Sequence, residues 1–170
     1  GINDFNDNDD HTITDSATGL MWTQSDNEEG LLWQDAIEYA QQKNNESYLG
    51  YNDWRLPNVK ELQSIIDYTR APDITNSASI DPIFNCSVIA DEGQYSNYPF
   101  FWSSTTHANM NNGGSAAYLA FGEGLGWMES PPNSGNYQLL DVHGAGCQRS
   151  DPKTGNPADY PYGHGPQGDV

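Results

Sequence analysis

The chain has 170 residues and a mass of 18.8 kDa, the size of a single domain. Its 24 Asp and Glu outweigh 6 Lys and Arg, and the formal charge of -18 repels nucleic-acid phosphates and anionic membranes. No run approaches the twenty or so apolar residues that cross a bilayer, so the expected partners exclude nucleic acid and the chain is not expected to insert into a membrane.

The hydrophobic fraction is only 35%, but 5 Trp, 10 Tyr and 5 Phe each bury a large area. That aromatic content argues for a folded, loop-rich domain over a disordered chain. The sequence opens at Gly1 with neither a basic segment nor an apolar one, so a secretory signal is expected to have been removed already. Cys86 and Cys147 allow one intrachain pairing, and their count alone leaves it open.

The opening run Asp4, Asn6, Asn8 and Asp10 carries oxygen-bearing side chains at alternate positions. Residues 12–15 (TITD) and 20–22 (LMW), separated by the turn 16–19 (SATG), predict a hairpin. Trp33, Ala36, Ile37 and Ala40 recur at helical spacing and predict a first helix over 31–43. Residues 44–53 break that pattern as a loop. Pro57, then Asn58 with Glu61 three residues on, spells a capping box for a second helix. Its apolar stripe, Val59, Leu62, Ile65 and Ile66, runs out near Thr69.

Residues 71–99 read as coil with short turns. Three further strands are expected at 100–106, 115–121 and 125–130, the last two joined by a tight turn at 122–124 (GEG), with another at 137–142. The Gly-, Pro- and Asp-rich stretch 143–170 is expected to be a long loop. Two early helices followed by short antiparallel strands and long polar loops make an α+β domain spanning residues 1–170. No dinucleotide or P-loop glycine string is present, and no organic cofactor is expected.

Three strings together carry a family resemblance: 7–22 (DNDDHTITDSATGLMW), 52–67 (NDWRLPNVKELQSIID) and 101–106 (FWSSTT). They resemble the DUF1566 family, described also as the C-terminal domain of a Legionella collagen-like adhesin (Lcl_C). Trp33 and Ala36 stand where that family has its W-x-x-A helix. The resemblance implies a C-type-lectin-like fold, a bacterial secreted or cell-surface location, and service in adhesion or recognition. Family members normally close with a strand bearing an Arg-Cys-Val-Arg type motif, which is not found before Val170. In such a fold the last strand pairs with the first, so its loss would leave a sheet edge open. A longer or cleaved parent chain is the favoured explanation, and a strand donated by a partner is the minority one.

Candidate residues follow from chemistry. Trp22, Trp33, Trp54 and Trp102 are assigned to the core, Arg55 to a buried ion pair or to loop carbonyls, and Pro57, Asn58 and Glu61 to the helix start. A hydrolase would draw on Ser103 or Ser104, His107 or His143, and Asp141, but no nucleophile-elbow string positions them. A formylglycine-generating type of oxidase would need a redox cysteine pair or a copper site, and Cys86 and Cys147 stand in unrelated strings. His107, His143 and His164 are isolated from one another, which gives zinc little support. Calcium takes six to eight hard oxygens, and two sets offer them: Asp4, Asn6, Asn8 and Asp10, and the later Asp141, Asp151, Asp159 and Asp169. The first set also suits Asx-capped turns.

Tyr95, Tyr98, Trp127, Tyr137, Tyr160 and Tyr162, in loops or short strands, are the candidate platforms for a sugar ring. The expected function is noncatalytic extracellular recognition of a neutral glycan or protein surface, with calcium as a stabiliser. The alternative is a structural subunit of a surface assembly or filament, self-assembled through an open sheet edge or loops.

Overall fold

The computed structural model describes residues 2–90, 96–108, 111–160 and 166. They form an α+β domain: β1 (Phe5–Asp7), β2 (Thr12–Asp15), β3 (Leu20–Thr23), α1 (Trp33–Asn45), α2 (Val59–Ser64), α3 (Pro72–Thr75), β4 (Ile89–Ala90), β5 (Ser96–Asn97), β6 (Phe100–His107), β7 (Ser115–Ala120), β8 (Leu125–Glu129), β9 (Tyr137–Asp141) and β10 (Gln148–Pro152). The strands pair antiparallel as β1-β2-β3, β10-β7-β6, β4-β5 and β8-β9.

The first sheet is held at its corner by one buried carboxylate. Asp15 accepts from the backbone N–H groups of Asp4 (3.0 Å) and Ala17 (3.0 Å) and from the Thr18 hydroxyl (2.9 Å). Gly19, at φ 72°, closes the turn into β3 by donating to the Asp15 carbonyl. Ile13 is fully buried beside this corner and joins Leu62, Ile65, Phe84, Leu119 and Phe121 in the larger of two core clusters.

The capping box of α2 forms as its sequence dictates. The Asn58 side chain accepts from the Lys60 and Glu61 N–H groups, and the Glu61 carboxylate accepts from the Asn58 N–H. The helix stops at Ser64, five residues before the apolar stripe runs out. Ile66 instead makes a β-bridge to Ile80, and the Asp67 N–H donates to the Ser79 carbonyl, so those apolar residues serve a second segment of the core.

β7 is the central strand of the second sheet, and all six of its residues are buried. Two expectations fail beside it. The 122–124 turn does not fold β8 back onto β7; β8 pairs with β9. A Cβ on Gly122 would lie 2.1 Å from the Asn97 side-chain oxygen and 2.4 Å from the Tyr98 carbonyl, so the chain passes tightly beneath that segment. The Asn97 carboxamide oxygen also accepts the Glu123 N–H, which commits the turn to residues 97–98. The vacated side of β7 is taken by β10, from within the stretch expected to be loop: Gln148–Pro152 pairs with Ser115–Leu119. Its sequence, QRSDP, has no aliphatic residue, and the pairing follows from the backbone hydrogen-bonding demand of a buried strand. The segment read as coil over 71–99 holds α3 and the short β4-β5 ribbon.

Cys86 and Cys147 are both free thiols. Cys86 packs against the larger core cluster, whereas a Cβ on Gly124 would lie 2.6 Å from the Cys147 sulfur. The disulfide left open by the sequence is not formed.

Candidate functional site

A cleft of about 500 Å³ opens between β3, α1, the loop leading to α2, and the edge of β6. Its size is ordinary for a ligand pocket, which spans roughly 300–1,000 Å³. The floor is apolar, made by Leu62, Ile65, Ile80, Phe84 and Phe121 of the larger core cluster and by Trp102 of the smaller one. The rim is aromatic and polar, with Tyr39, Tyr48 and Trp54 beside Asp53, Arg55 and Lys43.

Local structure fixes that rim. Asn44, in the last turn of α1, clamps Trp54 by accepting its N–H (2.6 Å) and donating to its carbonyl (2.7 Å). The indole N–H of Trp54 donates to the Tyr48 carbonyl at 2.9 Å, and Tyr51 meets the ring edge-on at 5.8 Å. Lys43 lies over both the Tyr39 ring (5.0 Å) and the Tyr48 ring (4.8 Å) while pairing with Glu46. The aromatic platform is therefore held in place before any ligand arrives.

Arg55 and Glu61 form a two-pronged ion pair at 2.7 and 2.6 Å. Its arginine end is more exposed than the buried pair the sequence suggested, with 56% of that side chain accessible. The hydrogen bonds from Arg55, together with the Asn58 N–H, hold the Glu61 carboxyl below its ordinary pKa. Three carboxylates (Asp26, Asp53, Glu61) and two cations (Lys43, Arg55) line the cleft, a net -1 within a chain of -18. Cys86 also reaches the lining; burial, and then the nearby Asp26, push its thiol up to about 12, far from a reactive thiolate. Trp22, in the β3 wall, keeps an indole N–H that is shielded from solvent and has no hydrogen-bond partner.

Residues 11–142 match the family described as the Lcl C-terminal domain. The chain belongs to that family. It is accordingly a module related to the C-terminal domain of a collagen-like adhesin, of bacterial type, and no helix among its described residues is long and apolar enough to cross a membrane. No curated protein and no solved structure matches the chain.

Within this family member, the aromatic residues singled out for sugar stacking stand away from the cleft. Trp127 and Tyr137 lie in the β8-β9 ribbon, Tyr98 donates to the Asn76 carbonyl, and Tyr160 follows a short 3-10 turn. None of these four lines the cleft. Tyr95 and Tyr162 lie outside the described residues, as do Asp169 and His164. Trp22, Trp54, Arg55, Pro57, Glu61 and Trp102, assigned to structure, are the residues that line it. Trp33 keeps a structural role: its indole N–H donates to the Ser103 carbonyl, and Lys153 lies 4.3 Å above its ring.

In the first acidic set, the side chains of Asn6, Asn8 and Asp10 bond within local turns. The Asn6 amide donates to the Asp4 carbonyl and Ser16, the Asn8 amide donates to Thr12 and Thr14, and the Asp10 carboxylate accepts from the Thr12 N–H and hydroxyl. In the second set, Asp141 accepts from the Gly124 and Gly144 N–H groups, Asp151 is buried in β10, and Asp159 ends a short turn. Among the described residues no three His, Cys, Asp or Glu side chains gather as a metal site would require. The hydroxyls of the hydrolase candidates bond to backbone, Ser103 to Ala117 and Ser104 to Pro57, while His107 pairs with Ser150.

Proposed function

We propose that the chain is a noncatalytic extracellular recognition and adhesion module that grips a neutral glycan or a protein surface in the β3–α1–β6 cleft. The observation that carries this reading is the cleft itself, in which a pre-positioned aromatic rim surmounts an apolar floor. A sugar face or an apolar side chain gains from such a surface, and Asp53, Arg55 and Lys43 supply hydrogen bonds around it. The near balance of charge in the lining suits an uncharged ligand. The -18 of the whole chain disfavours a sulfated one.

The test is an array of neutral glycans, sulfated glycans and extracellular proteins, probed with the intact chain and with Trp54→Ala. Binding to uncharged targets that weakens at least about tenfold in the variant supports the reading, since an aromatic anchor is worth upward of a kcal/mol. Binding confined to sulfated glycans, or indifferent to Trp54, overturns it. Repeating the assay in EDTA reads calcium directly: a lost signal assigns an ion to the acidic loops, and an unchanged one leaves them as hydrogen-bonded turns.

A further inference from the structure

The cleft lies between the outermost strands of two sheets, of which β6 already gives its Ser104 N–H to the Pro57 carbonyl. β3 ends the order β1-β2-β3, β6 ends the order β10-β7-β6, and the cleft takes Leu20, Met21, Trp22 and Thr23 from one and Phe101 and Trp102 from the other. The direction of the backbone groups on β3 follows from its register. Gln24 donates to the His11 carbonyl, and Trp22 and Leu20 pair with Ile13 and Asp15, so by alternation these residues face β2. The N–H and C=O groups of Met21 and Thr23 therefore point away from β2, and no hydrogen bond to them is found among the described residues. On β6, Phe101 pairs toward β7 and the Phe121 N–H reaches Pro99, which turns the backbone of Trp102 outward.

Just past the end of β3, where the chain turns at Gln24, another segment pairs with it. The Asn85 N–H donates to the Gln24 carbonyl, forming a parallel bridge with Ser25 at the end of β3. The unpartnered indole N–H of Trp22 adds one more donor in the same wall. Beneath lies the floor of Leu62, Ile65, Ile80, Phe84 and Phe121, suited to alternate apolar side chains.

We infer that the cleft is an acceptor slot for an extended segment of a partner protein, added as a strand to the edge of β3, with apolar residues at alternate positions and Lys or Arg at its ends. This deepens the recognition reading and rests on the cleft being the recognition site. Main-chain hydrogen bonds to Met21 and Thr23 supply affinity, and the apolar floor selects side chains of one strand face. Charge complementarity selects the ends: the lining is nearly balanced, with Asp26, Asp53 and Glu61 against Lys43 and Arg55, so the basic residues lie beyond the apolar floor, where the -18 of the whole chain attracts them.

The test is selection from a random heptapeptide display library on the intact chain, followed by amide hydrogen exchange with the enriched peptides. Enriched sequences that alternate apolar residues, carry Lys or Arg at their ends, and slow exchange at Met21 and Thr23 about tenfold or more support the slot. A version of the same peptide with alternate N-methylated amides should lose that protection while the protein is unaltered. No enrichment, acidic enriched peptides, or binding that leaves both amides exchanging freely overturns it. If neutral glycans bind and weaken with Trp54→Ala while peptides fail, the strand slot falls and the recognition reading stands. If glycans and proteins on the array also fail, both fall together.

Discussion

β7 and β3 are both short strands of three-stranded antiparallel sheets, yet they end in opposite circumstances. β7 has a partner on each side and buries all six residues. β3 has a partner on one side, and every residue of it is only partly buried. A strand with two partners spends its backbone groups on stability. One with a single partner keeps half of them for something else. In this molecule the uncommitted edge is also a wall of the cleft, so the proposed binding place lies where strand pairing is left incomplete among the described residues.

The largest effect should come from the closed side of that comparison. Leu119→Ala removes a fully buried side chain of β7 and should cost about 2–5 kcal/mol, read as a lowered denaturation midpoint. A loss under about 1 kcal/mol would mean that β7 is less central than its burial implies. Asp15→Ala should come next. It strands the Asp4 and Ala17 N–H groups and the Thr18 hydroxyl, at a cost of about 1–3 kcal/mol. Asn58→Ala breaks the capping box at the cleft margin and should cost about 1 kcal/mol, with α2 otherwise retained by circular dichroism.

Acid sharpens the same contrast. Burial works against ionising Asp15, but the bonds from Asp4, Thr18 and Ala17 outweigh it and keep its pKa below the usual value; Glu61 is lowered first by Arg55. The unfolded chain thus binds more protons in that range, so the stability these groups supply is complete above about pH 5 and lost as pH falls through their lowered values. Urea midpoints taken from pH 6 to pH 3 should decline, and decline less steeply in Asp15→Ala. A parallel slope in the variant would remove Asp15 from the account.

The local parts of this architecture were legible in the sequence. Asn58 and Glu61 are three residues apart and make the α2 capping box, and the 16–19 turn with its Gly19 closes the β2-β3 hairpin. The family was legible too, because its three strings sit at turns and helix starts where local rules are strict. The cleft was not, because its walls are assembled from β3, from α1 with the 48–57 segment that follows it, and from β6, three stretches well separated in sequence. Trp22 packs against the larger core cluster as its sequence suggested, but nothing local shows that it and Trp54 also line a cleft. Trp127, Tyr137 and Tyr160 drew notice as loop or short-strand aromatics, and the fold places them elsewhere. β10 was invisible because QRSDP has no strand pattern of its own and pairs to satisfy β7.

The most direct test of the central claim is chemical-shift mapping on uniformly labelled protein, titrated with the best uncharged ligand from the array. Perturbations should concentrate at Leu20–Thr23, Tyr48–Pro57 and Phe101–Trp102, with the β8-β9 ribbon quiet. Perturbations centred on Tyr98, Trp127, Tyr137 and Tyr160, with β3 and Trp54 unmoved, would contradict it and return recognition to the aromatic loops.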